Sequence, residues 1–401
     1  MSFLFDKKIK IVYDMCLNIC ASALPIILLQ LFVLPGTAER LGDEQYGLMV
    51  TLVSLNSMIS LALGNVLNNV RLLRQSEYES NGLSGDFNLV LGITMIINSI
   101  VIIIVTAIYT RFSFSQIFFT TTASGFMLLK NYICVWFRIE LNYKKVLIDS
   151  LIMLVGYIAG YILSIVTGVW QSIYIVGYLL GCIYILSQHN MLAEPWKRTQ
   201  VFPIRIKDCA ELSVATIIGS ALSYVDKLLL YPLLGGAAVS VYYSATIIGK
   251  ICSMLVSPIS SVMLSYLAKV KTFKKKLFFG MLAFVTAIAA IAYLLCMVVS
   301  KPMLLWLYPG WAMQSLEIIK ITTATAMLSL LVSVVNPVVL RFCRLNRQIM
   351  INTVSLVVYV VFCLALLQNM GLKGFALGVL FSTTIKLLLI IIIFLVDYKA
   401  I

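Results

Sequence analysis

Long apolar runs recur along almost the whole chain, each about the length that a helix needs to cross a bilayer. Segments such as 96–105 and 387–396 are almost continuously apolar, whereas barrel strands would alternate in polarity over about ten residues. The pattern therefore predicts twelve spanning helices joined by short polar turns. The expected spans are 11–34, 46–70, 87–109, 112–136, 145–167, 169–187, 208–233, 239–267, 277–299, 315–340, 348–368 and 373–396.

The composition supports a membrane protein. Hydrophobic residues make up 61% of the 401 residues, charged residues make up 11%, and the mean hydropathy is +1.02. A soluble fold needs more polar surface than this. No Ala-x-Ala cleavage pattern follows the first apolar run, so we expect it to be a retained helix. The predicted fold class is an all-α polytopic membrane protein.

Loop charges predict the orientation, because Lys and Arg in short loops stay on the cytoplasmic side. Alternate loops divide these residues 21 to 5, which places both termini in the cytoplasm. The net charge of +14 arises at helix ends, where anionic membrane lipids account for it, so no nucleic-acid partner is expected. The nine cysteines include no Cys-x-x-Cys pair and predict neither a metal site nor a disulfide.

A polar stretch near the middle of the chain divides the helices into six and six. It runs from Gln188 to Lys207 and is the longest loop. We therefore predict an N-terminal lobe at 1–190, a cytoplasmic linker at 191–207 and a C-terminal lobe at 208–401. Equal halves are typical of transporters built from repeats.

Two similar hairpins support a repeat. The segment 40–47 reads RLGDEQYG and the segment 234–243 reads LGGAAVSVYY, so Leu-Gly precedes an aromatic residue in both, at an offset of about 193 residues. Glycine permits a tight turn and tyrosine anchors a helix at the interface, although any membrane hairpin favours these residues. Separately, Gly156, Gly160, Gly177 and Gly181 predict close packing of the fifth and sixth helices.

These local motifs resemble those of Wzx-type polysaccharide flippases, which handle O-antigen or capsule repeat units. Such proteins belong to the multidrug/oligosaccharidyl-lipid/polysaccharide exporter superfamily. The resemblance rests on the 40–47 run, on Asn18 in the first helix, on Gly64 to Arg71, and on the Asp226-Lys227 pair before Leu234. Relatives commonly have Asp-Arg at that pair, and lysine lacks the planar fork of arginine.

The resemblance implies two six-helix lobes around a central cavity and transport by alternating access. The implied cargo is an undecaprenyl-pyrophosphate-linked oligosaccharide, which moves to the outer leaflet of a bacterial cytoplasmic (inner) membrane. Glycan-assembly proteins are the implied partners. No cofactor is expected, and Na⁺ or H⁺ is the candidate coupling ion. The chain has no phosphate-binding loop for ATP and no catalytic constellation, so we do not expect an enzyme.

Ionisable residues inside spans are costly and therefore indicate a cavity or a partner. Lys250 and Lys386 lie deepest and are the best candidates for binding an anionic headgroup; a structural pair with a carboxylate or carbonyls is the alternative. The full set of candidates for substrate binding is Lys250, Lys386, Lys227, Asp226, Lys130 and Asn18.

Simpler interpretations stay open for three of these candidates. Lys130 lies about six residues from the cytoplasmic helix end, so its stem can snorkel to the headgroups. Asp226 and Lys227 are about 100° apart on a helical wheel and are not expected to face one partner. Asp226 can instead meet Lys250 on the next helix, or bind the coupling ion.

Two other functions compete with the flippase. A drug/cation antiporter of the same superfamily would need buried carboxylates, whereas the deep charges here are mostly lysines. A membrane glycan polymerase or ligase would need a substantial external loop, and the only histidine, His189, lies on the cytoplasmic side.

Overall fold

A computed structural model describes residues 13, 17–267, 275–342 and 345–397. Within these ranges the chain is helical and contains no strand. The helices are α1 (Leu17–Ser80), α2 (Asp86–Tyr109), α3 (Phe114–Ile133), α4 (Val135–Ile139), α5 (Tyr143–Thr167), α6 (Ser172–Gln188), α7 (Phe202–Leu267), α8 (Lys275–Leu307), α9 (Ala312–Phe342) and α10 (Leu345–Asp397). The all-helical membrane fold predicted from the sequence is confirmed.

Three of these helices are too long for a single crossing. A span needs about 20 residues, whereas apolar helical runs cover 64 residues in α1, 50 in α7 and 47 in α10. Each contains a glycine with non-helical backbone angles at which the helix kinks: Gly42, Gly235 and Gly371. Seven described helices are long and apolar enough to cross a membrane. The number of crossings and the side of the termini stay predictions.

The chain forms two compact units. The first contains the residues up to Arg40 together with Leu48–Leu228, and the second contains Leu41–Gly47 together with the residues from Leu229 onward. The predicted lobes 1–190 and 208–401 and the linker 191–207 stay a prediction. In the first unit, the 3-10 turn Met191–Ala193 and the following residues pack against α1 and α2.

Close packing of α5 on α6 depends on the glycines, as the sequence predicted. A Cβ atom added to Gly156 would lie 2.8 Å from Gly177 Cα, and one added to Gly160 would lie 2.5 Å from Ser172 O. The backbones approach this closely because the glycines carry no side chain.

The core of the second unit is formed by α8, α9 and α10. Phe278 of α8 stacks on Phe394 of α10 with ring centroids 4.0 Å apart. Both rings belong to a buried cluster with Val335 and Val338 of α9 and Ile390 of α10. One face of α10 therefore points into this unit, which places the residues of that face in the protein interior.

Candidate substrate site

Lys386 lies on the buried face of α10. Ser382 and Ile390, one helical turn before and after it, are 3% and 0% exposed. The opposite face carries strongly exposed apolar residues, among them Leu388 and Ile392. Because residues four apart share a helix face, the Lys386 side chain leaves the helix toward the interior of the second unit and away from the lipid-facing side.

The Lys386 ammonium has no acidic partner within the part of the chain that the structure describes. Among the described residues, Lys386 takes part in no ion pair or side-chain hydrogen bond, and its side chain is only partly buried. Inserting a lysine at mid-span costs about 2.5–3.5 kcal/mol on translocon scales. A lysine on this interior face can interact with an anionic ligand, which is the role predicted for it.

Lys250 has an aromatic environment. Its Nζ atom lies 4.8 Å from the centroid of the Tyr243 ring, a geometry in which the ring face attracts the ammonium. Tyr243 also contacts the fully buried ring of Tyr46, with centroids 6.1 Å apart. Lys250 therefore lies beside a packed aromatic cluster formed by Tyr46, Tyr243, Tyr308 and Trp311.

Lys130 of α3 pairs with Asp149 of α5. Lys130 Nζ lies 2.9 Å from Asp149 Oδ2, and the two side chains are 13% and 2% exposed. The snorkelling interpretation of Lys130 is therefore wrong, because the Asp149 carboxylate holds the ammonium inside the first unit. Asp149 Oδ1 has no hydrogen-bond partner among the described residues. The pair fits a structural role better than a role in substrate binding.

Asp226 and Lys227 form an ion pair with each other. The Lys227 side chain is 2% exposed, and its backbone N–H donates to Asp226 Oδ1 at 3.0 Å. The helical wheel had separated the two residues, but a long lysine stem can fold back and reach its chain neighbour. Asp226 therefore already has a cationic partner and does not depend on Lys250 for one.

The predicted asparagine candidate is exposed. Asn18, near the start of α1, has an exposed side chain. Buried polar groups occur elsewhere in the first unit: Ser60 donates to Asn98 Oδ1 at 2.9 Å, and Asn98 Nδ2 donates to Ser124 at 3.0 Å. These bonds join α1, α2 and α3, which favours the structural interpretation of Asn98. The role of Asn18 stays a prediction.

An ionic network that was not predicted from the sequence surrounds the mid-chain segment. Arg71 binds Glu194 through two hydrogen bonds, of 2.9 and 2.6 Å. Arg205 pairs with Glu77 and Asp208, both at 2.7 Å. Arginines near the end of a span are also expected for orientation alone, so only their alternation with acidic residues at 77, 194 and 208 could have indicated the network.

The two predicted repeat hairpins have matching backbone geometry. Gly42 has φ 71° and ψ 176°, and Gly235 has φ 82° and ψ 178°, in a region that favours glycine. The segments that follow Gly42 and Gly235 both belong to the second unit, and they make two equivalent contacts with each other. Gly47 abuts Gly236, and Ser240 donates to Asp43 O at 2.6 Å. At the repeat offset of 193, residue 47 corresponds to residue 240, and residue 43 corresponds to residue 236. The contact of 47 with 236 is therefore the repeat equivalent of the contact of 240 with 43.

Glu44 adds a helix cap to this contact. Its Oε2 atom accepts a hydrogen bond from the Gly236 backbone N–H at 2.8 Å. A carboxylate at the N-terminal end of a helical segment is favoured by the unpaired N–H groups there. Nearby, the hydroxyls of Tyr46 and Tyr308 lie 3.1 Å apart. The segment Leu41–Gly47 is thus held on the second unit by backbone contact, a cap and buried aromatic rings.

The fold is shared with solved membrane transporters. No family profile matches the chain, and no curated protein matches it by sequence. Among solved structures, lipid II flippase MurJ in an inward closed conformation matches with a TM-score of 0.70 and 14% identity over 96% of this chain and 86% of that one. An inward-facing multidrug resistance MATE family transporter of the MOP superfamily matches with a TM-score of 0.65 and 12% identity, covering 96% and 98%.

A eukaryotic MATE transporter matches with a TM-score of 0.68 and 13% identity over 98% of this chain and 96% of the other. These three proteins are named as transporters or as a flippase. At this identity the likeness establishes the fold. The chain has the fold of the MOP-type transporters.

Proposed function

We propose that the protein moves an undecaprenyl-pyrophosphate-linked oligosaccharide from the cytoplasmic to the outer leaflet of a bacterial inner membrane by alternating access. The observation that carries this proposal is Lys386, a deep lysine on an interior helix face with no acidic partner among the described residues. A pyrophosphate group is strongly anionic. Its attraction to an ammonium is much larger in a poorly solvated site than in bulk water.

A cation at the position of Lys386 would lower the barrier to moving the lipid headgroup across the bilayer. The barrier to flipping such a lipid is the transfer of its charged headgroup and sugars through the apolar layer, whereas the polyprenyl tail can stay in the bilayer. An ammonium at mid-depth stabilises the headgroup where the lipid tails stabilise it least. Lysine supplies a point charge and not a planar fork, which suits a headgroup that must be held and then released.

The likeness to lipid II flippase MurJ supports a lipid-linked cargo, because that protein is named for moving one. The glycan carried by this chain, and a role in polysaccharide or O-antigen assembly, rest on the resemblance of its motifs to Wzx-type flippases. Glycan-assembly proteins are the partners that this role would require.

A drug/cation antiporter is the second candidate function, and the MATE transporter neighbours favour it. The charges of the first unit argue against an antiporter of cationic drugs. Its span carboxylates Asp149 and Asp226 both have a lysine within ion-pairing distance. A carboxylate neutralised by lysine is a poor site for a cationic drug. For the same reason, neither residue is an obvious site for a Na⁺ or H⁺ coupling ion.

Deletion and complementation separate the two functions. Loss of the gene should deplete a surface polysaccharide and cause lipid-linked oligosaccharide to accumulate inside the cell. Plasmid-borne wild-type protein should restore both, while Lys386→Met at equal abundance should not. Unchanged polysaccharide and lipid intermediates together with a new sensitivity to cationic drugs would instead identify the antiporter.

A further inference from the structure

Residues 195–198 form an exposed bridge between two buried attachments on the first unit. On one side, Glu194 is held by Arg71, and its backbone carbonyl accepts from Asn88 Nδ2 at 2.9 Å. On the other side, Thr199 donates through its backbone N–H to the buried Asp86 carboxylate at 2.7 Å. The bridge between the attachments has no regular secondary structure, yet both of its ends are fixed.

Gly85 lets the bridge lie directly against the start of α2. A Cβ atom at Gly85 would come within 2.5 Å of Pro195 O and 2.8 Å of Lys197 O, and its φ of 112° also favours glycine. The backbone of residues 195–197 therefore packs directly against Gly85, where no side chain could be accommodated. This seating determines where the side chains of Trp196, Lys197 and Arg198 project.

Trp196 is exposed and lies against the beginning of α2. Its Cζ3 atom would be 3.0 Å from a Cβ atom at Gly92. Gly92 is six residues along α2 from Asp86, or about 9 Å at 1.5 Å per residue. The next residues of α2 include the lipid-facing Ile93 and Ile96, and the indole itself is 56% exposed. An exposed tryptophan near the start of an apolar helix is typical of the membrane interface, where its amphipathic ring is favoured.

Two cations follow the indole directly. Lys197 and Arg198 are exposed and form no ion pair within the described part of the chain. The Arg198 guanidinium lies 5.2 Å from the centroid of the Phe202 ring, which restricts its freedom while its donors stay available. Other cations nearby have acidic partners, as Arg205 does with Glu77. The bridge therefore carries two adjacent exposed cations that have no acidic partner among the described residues.

We propose that this bridge, residues 195–198, is a fixed binding site for the phosphate of an anionic phospholipid in the adjacent leaflet. The indole of Trp196 contacts the glycerol and upper acyl region, and Lys197 and Arg198 bind the phosphate above it. Charge complementarity selects an anionic lipid over a zwitterionic one. The site lies on one unit and does not depend on which cargo the protein moves.

Native mass spectrometry of the full chain tests this proposal with two lipid probes, phosphatidylglycerol and phosphatidylcholine. The double variant Lys197→Gln/Arg198→Gln should bind phosphatidylglycerol on the order of twentyfold more weakly, given roughly fivefold per cation near an anionic surface. Its binding of phosphatidylcholine should be unchanged. Lys207→Gln is the matched control, since Lys207 is also exposed but lies 3.8 Å from Glu211. This variant should retain the tight lipid adducts.

Two further arms identify the ligand. Brominated phosphatidylglycerol should quench a fluorescence component that Trp196→Phe removes, and excess inorganic phosphate should not displace the lipid. The proposal is overturned if the double variant binds both lipids like the wild type, if Lys207→Gln has the same effect, or if free phosphate competes fully. Thermal melting of each variant should match the wild type, because these side chains are exposed; a large loss would also contradict the assignment.

Discussion

The lysines inside the first unit differ from Lys386 of the second unit in what lies beside their ammonium groups. Lys130 and Lys227 each have an aspartate partner and are nearly inaccessible. Lys386 is only partly buried, and no carboxylate pairs with it in the described ranges. A paired charge stabilises the helices that it joins, whereas an unpaired one costs stability and can be compensated by a ligand. This difference favours structural roles for the paired lysines and supports the ligand-binding role proposed for Lys386.

The largest expected effect tests the paired side of this comparison. Lys130→Met leaves the buried Asp149 carboxylate without its counter-ion, which should destabilise the protein by about 3–5 kcal/mol. Thermal unfolding in detergent measures the loss. The double variant Lys130→Met/Asp149→Leu removes both charges and should recover most of the stability. A single variant as stable as the wild type would show that the pair contributes nothing.

Lys386→Met should act in the opposite direction. Removing an unpaired ammonium from mid-span relieves up to about 2.5–3.5 kcal/mol of insertion cost, so the melting temperature should stay the same or rise. The same measurement on Lys386→Arg, which keeps the charge, provides the control. A clear loss of stability in Lys386→Met alone would mean that this lysine has a structural partner, and the comparison would fail.

A smaller effect tests the contact between the two glycine hairpins. A Cβ atom at Gly236 would lie 2.3 Å from the backbone oxygen of Glu44. Gly236→Ala should therefore force the backbones apart and cost about 1–3 kcal/mol. Gly219→Ala, on the same helix with open space around it, should be neutral or slightly stabilising. Equal melting temperatures for the two variants would contradict the close contact.

The smallest expected effect concerns the Tyr46 hydroxyl. Tyr46→Phe keeps the buried ring but removes its hydrogen bond to Tyr308, so we expect a loss of about 1 kcal/mol. Tyr46→Ala should cost several times more, because it also removes the ring from the aromatic cluster. If both variants unfold like the wild type, the segment Leu41–Gly47 does not depend on this cluster.

Hydropathy and local motifs were sufficient to predict the all-helical membrane fold and the glycines of the two hairpins. Apolar runs and glycine spacings indicate burial and helix packing directly, and they predicted the close packing of α5 on α6, in which Gly156 meets Gly177. The matching backbone angles of Gly42 and Gly235 also follow from the repeat that the sequence indicated. These features depend on residues close in sequence or on faces with a regular period.

The partners of individual charges could not be predicted in the same way. Whether Lys130 snorkels or binds Asp149 depends on how α3 packs against α5, and no periodicity encodes that choice. The Asp226–Lys227 pair depends on a lysine stem folding back along its own helix. Glu194 falls in a loop by every local signal, and only the tertiary fold brings it to Arg71. Lys386 could be proposed from its position in an apolar run alone, because an ionisable residue there indicates a cavity or a partner whichever neighbours it has.

Reconstituted flipping tests the central claim most directly. Proteoliposomes would contain a fluorescent undecaprenyl-pyrophosphate-linked oligosaccharide, and the fraction reaching the opposite leaflet would be followed over time for the wild type, Lys386→Met, Lys386→Arg and the Lys130→Met/Asp149→Leu double variant. We expect Lys386→Met to slow translocation at least about tenfold, which corresponds to a loss of about 1.4 kcal/mol of headgroup stabilisation. Lys386→Arg should keep part of the wild-type rate, and the double variant should keep most of it. Translocation by Lys386→Met at the wild-type rate would contradict the account.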